Sequence, residues 1–111
     1  MGENVRSEIF REDLLEGKVV VLSGAGTGLG REATLEMVRL GATVIGCGRR
    51  PEPLEETAGL AAGLPGSFEH DTLDIRDEDA VDAFFDGVVE RHGRIDVLVN
   101  NAGGQFLSPA E

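Results

Sequence analysis

Four short segments, three of them apolar and the third mixed, each ending in a glycine-rich or polar break, punctuate this chain at near-regular intervals. They are Lys18–Leu22, Ala42–Cys47, Ser67–Leu73 and Ile95–Val99, and the second is β-branched at Thr43, Val44 and Ile45. Short runs bounded by turn residues predict strands. The segments between them carry apolar residues at helical spacing. The first helix is expected over Leu29–Leu40, with Leu29, Ala33, Met37 and Leu40 on one face and Gly41 as its C-cap. The second has Pro51 and Pro53 in its first turn, runs through Leu54, Ala58 and Ala61, and breaks at Gly63-Leu64-Pro65-Gly66. Asp77 caps the third, whose stripe of Val81, Phe84, Phe85, Val88 and Val89 reads as core, and His92-Gly93 ends it.

The resulting order is β-α-β-α-β-α-β, with crossovers long enough to join parallel strands. Strands that are apolar without alternation imply a sheet covered on both faces by helices. This is half of a doubly wound α/β fold, with an expected strand order of 3-2-1-4. Residues 1–17 form a polar lead-in that closes on the small apolar patch of Leu14-Leu15, and residues 18–111 form a partial nucleotide-binding domain. Such sheets bind ligands at the carboxyl ends of their strands. Gly24–Gly30, Arg49–Arg50, Asp74 and Asn100–Gly103 all fall at those ends.

The turn after the first strand reads Ser23-Gly24-Ala25-Gly26-Thr27-Gly28-Leu29-Gly30. Glycines there let the backbone approach a pyrophosphate, and the amides of the following helix face the anion. Gly24, Gly28 and Gly30 make G-x-x-x-G-x-G, and no G-x-G-x-x-G can be threaded through the turn. A strand-to-helix connection without ligand is the alternative reading. At the end of the second strand, where an acidic residue would bind a ribose 2′-hydroxyl, the chain has Gly48 followed by Arg49-Arg50. Two guanidiniums suit a 2′-phosphate and favour NADP(H); the alternative is a pair of surface arginines solvating a loop. Asp74 can accept from an adenine amino group or share helix capping with Asp77.

Composition narrows the partners. The 111 residues allow one domain, and 41% hydrophobic residues allow a small core. A net charge of −11 argues against nucleic acid or an anionic membrane surface. No signal peptide or membrane-length apolar run is visible. The single cysteine, Cys47, excludes an internal disulfide, fits a reducing compartment and reads as a packing residue. His70 and His92 lack metal-ligand spacing, so no metal site is expected. There is no tyrosine or tryptophan, and Lys18 is the only lysine.

Three motifs together resemble the short-chain dehydrogenases/reductases. Ser23–Gly30 is similar to that family's T-G-x-x-x-G-x-G turn, with Ser for the usual Thr. Asn100-Asn101-Ala102-Gly103 matches its N-N-A-G motif, and Asp74 matches its adenine-side aspartate. The resemblance spans Leu14 to Glu111 and implies the N-terminal half of a Rossmann-type sheet. It implies a cofactor site of Gly24, Gly26, Thr27, Gly28, Leu29, Gly30, Arg49, Arg50, Asp74, Ile75, Asn100, Ala102 and Gly103. The segment Gly103–Glu111 is similar to the branch of enoyl-CoA and 2,4-dienoyl-CoA reductases, whose cofactor is NADPH. That likeness implies an acyl-CoA substrate contacted by Arg76 and Phe106, with Gln105 at a catalytic position. Relatives acting on terpenoid alcohols and aldehydes share much of the segment. The family's chemistry passes hydride from the nicotinamide to the substrate, while a Tyr whose pKa is lowered by Lys handles the proton. In the family a catalytic Ser and a Y-x-x-x-K motif lie downstream of N-N-A-G; neither is found in this chain, so they are expected beyond Glu111 and the chain alone is expected to be inactive. The resemblance further implies a homotetrameric parent enzyme, and the cytoplasm is the default location.

Overall fold

A computed structural model of the chain describes residues 14–101. It contains β1 (Val19–Ser23), α1 (Gly28–Arg39), β2 (Thr43–Gly48), α2 (Pro51–Ala61), β3 (Ser67–Thr72), α3 (Glu78–His92) and β4 (Val97–Asn100). All strand pairings are parallel and the sheet order is β3-β2-β1-β4. The expected order of 3-2-1-4 is therefore the observed one, and element bounds agree to within two residues.

Alternate residues of β1 point to opposite faces of the sheet, which creates two cores. Val19 and Val21 join Ile45, Cys47 and Leu73 under Val81, Phe84 and Val88 of α3. Val20 and Leu22 join Val44 under Val38 of α1 and Leu54 and Ala61 of α2. All five residues of β1 are buried. Cover is complete only over this central pair of strands. The edge strand β3 carries half-buried to exposed residues, and Val97 and Leu98 of β4 are about 40% exposed. Three helices cannot roof four strands on both faces, so the expectation of a fully covered sheet holds only at its centre.

Local signals act as their chemistry dictates. The Asp77 carboxylate accepts the Ala80 amide at 3.1 Å and caps α3, and Pro51 opens α2. The lead-in docks through Leu15, whose amide donates to the Leu40 carbonyl at 2.8 Å and whose side chain packs on the α1–α2 core. One expected face is corrected. The buried stripe of α1 is Gly30, Thr34 and Val38, whereas Leu29 is 75% exposed. A helix that begins against a glycine turn must present its smallest residues there, which turns Leu29 outward, while Ala33 and Met37 of the expected face pack half-buried on the core and Leu40 is buried. Val89 of α3 is likewise exposed, leaving Val81, Phe84 and Val88 as the buried stripe.

Candidate nucleotide-binding site

The carboxyl ends of β1, β2 and β3 open onto a cleft of about 460 Å³. Its walls include Ser23, Gly24, Gly26 and Thr27 from the first turn, Gly48, Arg49 and Arg50 from the second, and Asp74, Ile75 and Arg76 from the third. The sequence order of these groups is scattered, and the 3-2-1-4 topology alone brings them together. Asn101 completes the wall on the β4 side.

The glycine turn is held tightly against β2 and α1. The Gly24 amide donates to the Cys47 carbonyl at 2.8 Å, and Gly24 has a φ of +72°. Gly30 sits directly beneath Gly24: a Cβ at Gly30 would lie 1.8 Å from the Gly24 carbonyl oxygen. This contact gives Gly30 a packing role under the floor of the cleft. Thr27 is extended at the N-cap of α1, no side chain caps that helix, and its first turn holds no acidic residue. The first amides of a helix have no intrahelical acceptor, and the dipole places partial positive charge there. An uncapped N-terminus free of carboxylates, opening from a turn where Gly26 and Gly30 leave no room for a Cβ, fits an anionic pyrophosphate. A nicotinamide dinucleotide would be held there by the Gly24–Gly30 backbone.

A network unforeseen from the sequence braces this turn. The Thr57 hydroxyl, fully buried, accepts from Arg31 Nε at 2.9 Å and donates to the Ala25 carbonyl at 3.0 Å. Arg31 Nη2 also donates to the Pro53 carbonyl at 3.1 Å and pairs with Glu56 at 3.0 Å. Arg31 thereby ties α1 to α2 and is not available to a phosphate. On the other side, Ser23 Oγ donates to Asn100 Oδ1 at 3.1 Å and accepts the Asn101 amide at 2.9 Å. This crossed pair fixes the ends of β1 and β4, so Asn100 has a structural partner and its neighbour Asn101 reaches the cleft.

The disposition of arginines is uneven. Arg31, Arg39, Arg76, Arg91 and Arg94 each pair with a carboxylate. Among the described residues, Arg49 and Arg50 make no ion pair or hydrogen bond through their side chains, and both are exposed at the cleft mouth. Asp74 accepts from Arg76 Nε and Nη2 and from the Arg76 amide, each at 3.0 Å. These side-chain and backbone hydrogen bonds, with Arg49 adding a weaker attraction, hold its carboxyl down at about 2. Cys47 lines the inner wall, and burial followed by repulsion from Asp71 pushes its thiol up to about 12. It is inert packing, as its place in β2 implied. His92 pairs with Glu69 at 2.9 Å and His70 stacks on Phe68, both away from the cleft. Of the expected site residues, Leu29 is exposed on the first turn of α1, while Ala102, Gly103, Gln105 and Phe106 lie outside the described residues. Among the described residues no cluster could hold a metal ion, and no helix is long and apolar enough to cross a membrane.

Parallel strands in this order, with a glycine-rich turn between β1 and α1, define a Rossmann-like fold of the doubly wound class. Residues 18–111 match the model of the short chain dehydrogenase family. The chain belongs to that family, whose members are oxidoreductases using a nicotinamide cofactor. It is 44% identical over 89 residues to a 3-oxoacyl-(acyl-carrier-protein) reductase of Thermotoga maritima, covering 80% of this chain and 36% of that protein. It is 38% identical over 107 residues to a Caenorhabditis elegans protein named "Probable 2,4-dienoyl-CoA reductase 3", covering 95% of this chain and 35% of that protein. Among solved structures, the citronellol catabolism dehydrogenase of Pseudomonas aeruginosa superimposes with a TM-score of 0.81 at 40% identity, covering 87% of this chain and 41% of that one. The chain thus spans little more than a third of the length of the curated relatives it matches.

Proposed function

We propose that this chain is the cofactor-holding part of an NADPH-dependent reductase that acts on the C=C bond of an enoyl- or dienoyl-CoA. The observation that carries the cofactor reading is the pair Arg49 and Arg50. In a chain with 21 acidic residues, five of the seven described arginines are paired with carboxylates, and the two left over stand at the cleft mouth. No acidic residue occupies the end of β2, so nothing there repels a 2′-phosphate. The bound nicotinamide would supply hydride to the substrate. The chain's own part is to grip the pyrophosphate with the Gly24–Gly30 backbone and the 2′-phosphate with Arg49 and Arg50. Proton transfer by a Tyr–Lys pair is not within its means, because it has no tyrosine and its lysine precedes β1. We therefore expect binding without turnover from these 111 residues.

The acyl-CoA reading is supported by the dienoyl-CoA reductase name of the C. elegans relative and by the Gly103–Glu111 segment. A second reading, reduction of a carbonyl on a 3-oxoacyl or terpenoid substrate, has the Thermotoga and Pseudomonas relatives in its favour. The cofactor claim is tested by replacing Arg49 and Arg50 with alanine and measuring NADPH and NADH binding by calorimetry. Loss of a charged phosphate contact costs about 1.5–3 kcal/mol, roughly ten- to a hundredfold in Kd. That loss should fall on NADPH; equal losses for both cofactors overturn the assignment.

A further inference from the structure

We propose that Arg76 tunes the cleft for a 2′-phosphate without touching it, by holding the Asp74 carboxylate away from Arg49. This rests on the NADP(H) reading above and assigns a positioning residue to it.

Among the described residues, Asp74 is the one carboxylate in the wall of the cleft, and it stands among Arg49, Arg50 and Arg76. A carboxylate beside a phosphate site does two kinds of harm: it repels the phosphate, and it competes for the guanidinium meant to bind it. Here both Asp74 oxygens are engaged by a single partner. Arg76 Nε binds Oδ1 and Nη2 binds Oδ2, a fork-to-fork pair that the Arg76 amide reinforces on Oδ1. Bidentate pairing is the strongest geometry open to this pair of groups. With only Ile75 between the partners, it forms without waiting for a ligand. Arg49, close enough to act electrostatically on Asp74, makes no hydrogen bond to it. The arrangement leaves Arg49 available to the ligand and cancels the charge that would oppose it.

The test uses the full 111-residue chain and two probes that differ only in one phosphate, 2′,5′-ADP and 5′-AMP. The readout is the ratio of their Kd values by calorimetry, with circular dichroism to show that each variant is folded. Arg76→Ala should lower the preference for 2′,5′-ADP by about three- to tenfold, the size of one unscreened charge acting on a phosphate dianion through solvent. The decisive variant is the double change Arg76→Ala with Asp74→Asn. Removing the freed carboxylate should bring the ratio back to within about twofold of the unmodified chain, a coupling that independent sites would not show. Asp74→Asn alone should leave the ratio unchanged or raise it. A double variant that stays low shows that Arg76 contacts the phosphate itself and overturns the proposal, as does an Arg76→Ala chain with an unaltered ratio. Arg49→Ala with Arg50→Ala separates the two levels. If they abolish the preference while Arg76→Ala does nothing, the cofactor reading stands and only this inference falls. An unmodified chain that shows no preference, or binds neither probe, removes both.

Discussion

Replacing Gly30 by alanine is the most demanding perturbation of the glycine turn proposed to hold the pyrophosphate. The new Cβ would lie 1.8 Å from the Gly24 carbonyl oxygen and 2.8 Å from Asn101 Nδ2, where an ordinary contact begins at 3.4 Å. The Gly24 carbonyl cannot give way alone, because the Gly24 amide is bonded to Cys47 and the Ala25 carbonyl to Thr57. Relief therefore means moving α1 off the turn, which opens the Val38–Leu54 core, or breaking the turn itself. Overpacking a tight site costs about 1–3 kcal/mol when neighbours can adjust, and more when the obstacle is backbone. We expect Gly30→Ala to lose at least about 3 kcal/mol in urea unfolding and to abolish binding of 2′,5′-ADP. Gly28→Ala supplies the contrast. Gly28 has a φ of +56° but open space where its Cβ would stand, so only the left-handed penalty of about 1–2 kcal/mol applies. If the two variants lose equal stability, or if Gly30→Ala still binds 2′,5′-ADP with unaltered affinity, the reasoning is wrong.

Three further outcomes are expected. Thr57→Val removes the hydroxyl that joins Arg31 to the Ala25 carbonyl and should cost about 1–3 kcal/mol in urea unfolding, whereas Thr57→Ser should retain most of it; a valine loss below about 0.5 kcal/mol would leave the brace without energetic weight. Acid should destabilise the fold over a defined window. Asp74 is held down to about 2 by Arg76, Asp96 is lowered by the Val19 amide and Arg94, and at Glu69 hydrogen bonds from His92 and Arg91 outweigh the upward push of burial. Folded pKa values below the unfolded ones mean stability that is complete above about pH 5 and lost as pH falls through 4 toward 2. Thermal melts across that range should show Tm falling, and a Tm that rises on acidification contradicts the pairings. Cys47, buried and with its thiol pushed up to about 12, should react with a thiol reagent only after denaturant is added; prompt native-state labelling would show the β2 end to be open.

Much of this architecture is legible in the sequence because short-range patterns and topology rules determine it. Four short strand segments with helical crossovers admit few arrangements, and the right-handed crossover rule with a switch point leads to 3-2-1-4. The clustering of Gly24, Arg49 and Asp74 follows from that order. What escaped depends on packing across long sequence separations. Nothing in the neighbourhood of Arg31 signals that its partner is Thr57 on another helix. The burial of Thr34 in place of Leu29 follows from the close approach of α1 to the glycine turn, and a helical wheel weighs side chains by hydrophobicity alone. The Asp74–Arg76 fork is local, but it depends on a loop conformation that no propensity encodes. Asn101 illustrates the same limit: the motif is visible in the sequence, yet that Asn100 meets Ser23 through its side chain, while Asn101 does so through its backbone amide and lines the cleft, is a matter of strand-end geometry.

On the proposed function, the carboxyl ends of β1 and β2 grip an adenosine 2′-phosphate and its pyrophosphate. Titrating the isotopically labelled chain with 2′,5′-ADP, while following backbone amide resonances, tests it most directly. The largest shifts should fall at Gly24 through Gly30 and at Arg49 and Arg50, with α3 and the outer edge of β3 silent. Shifts centred on α3 or β3, or none at saturating ligand, would contradict it.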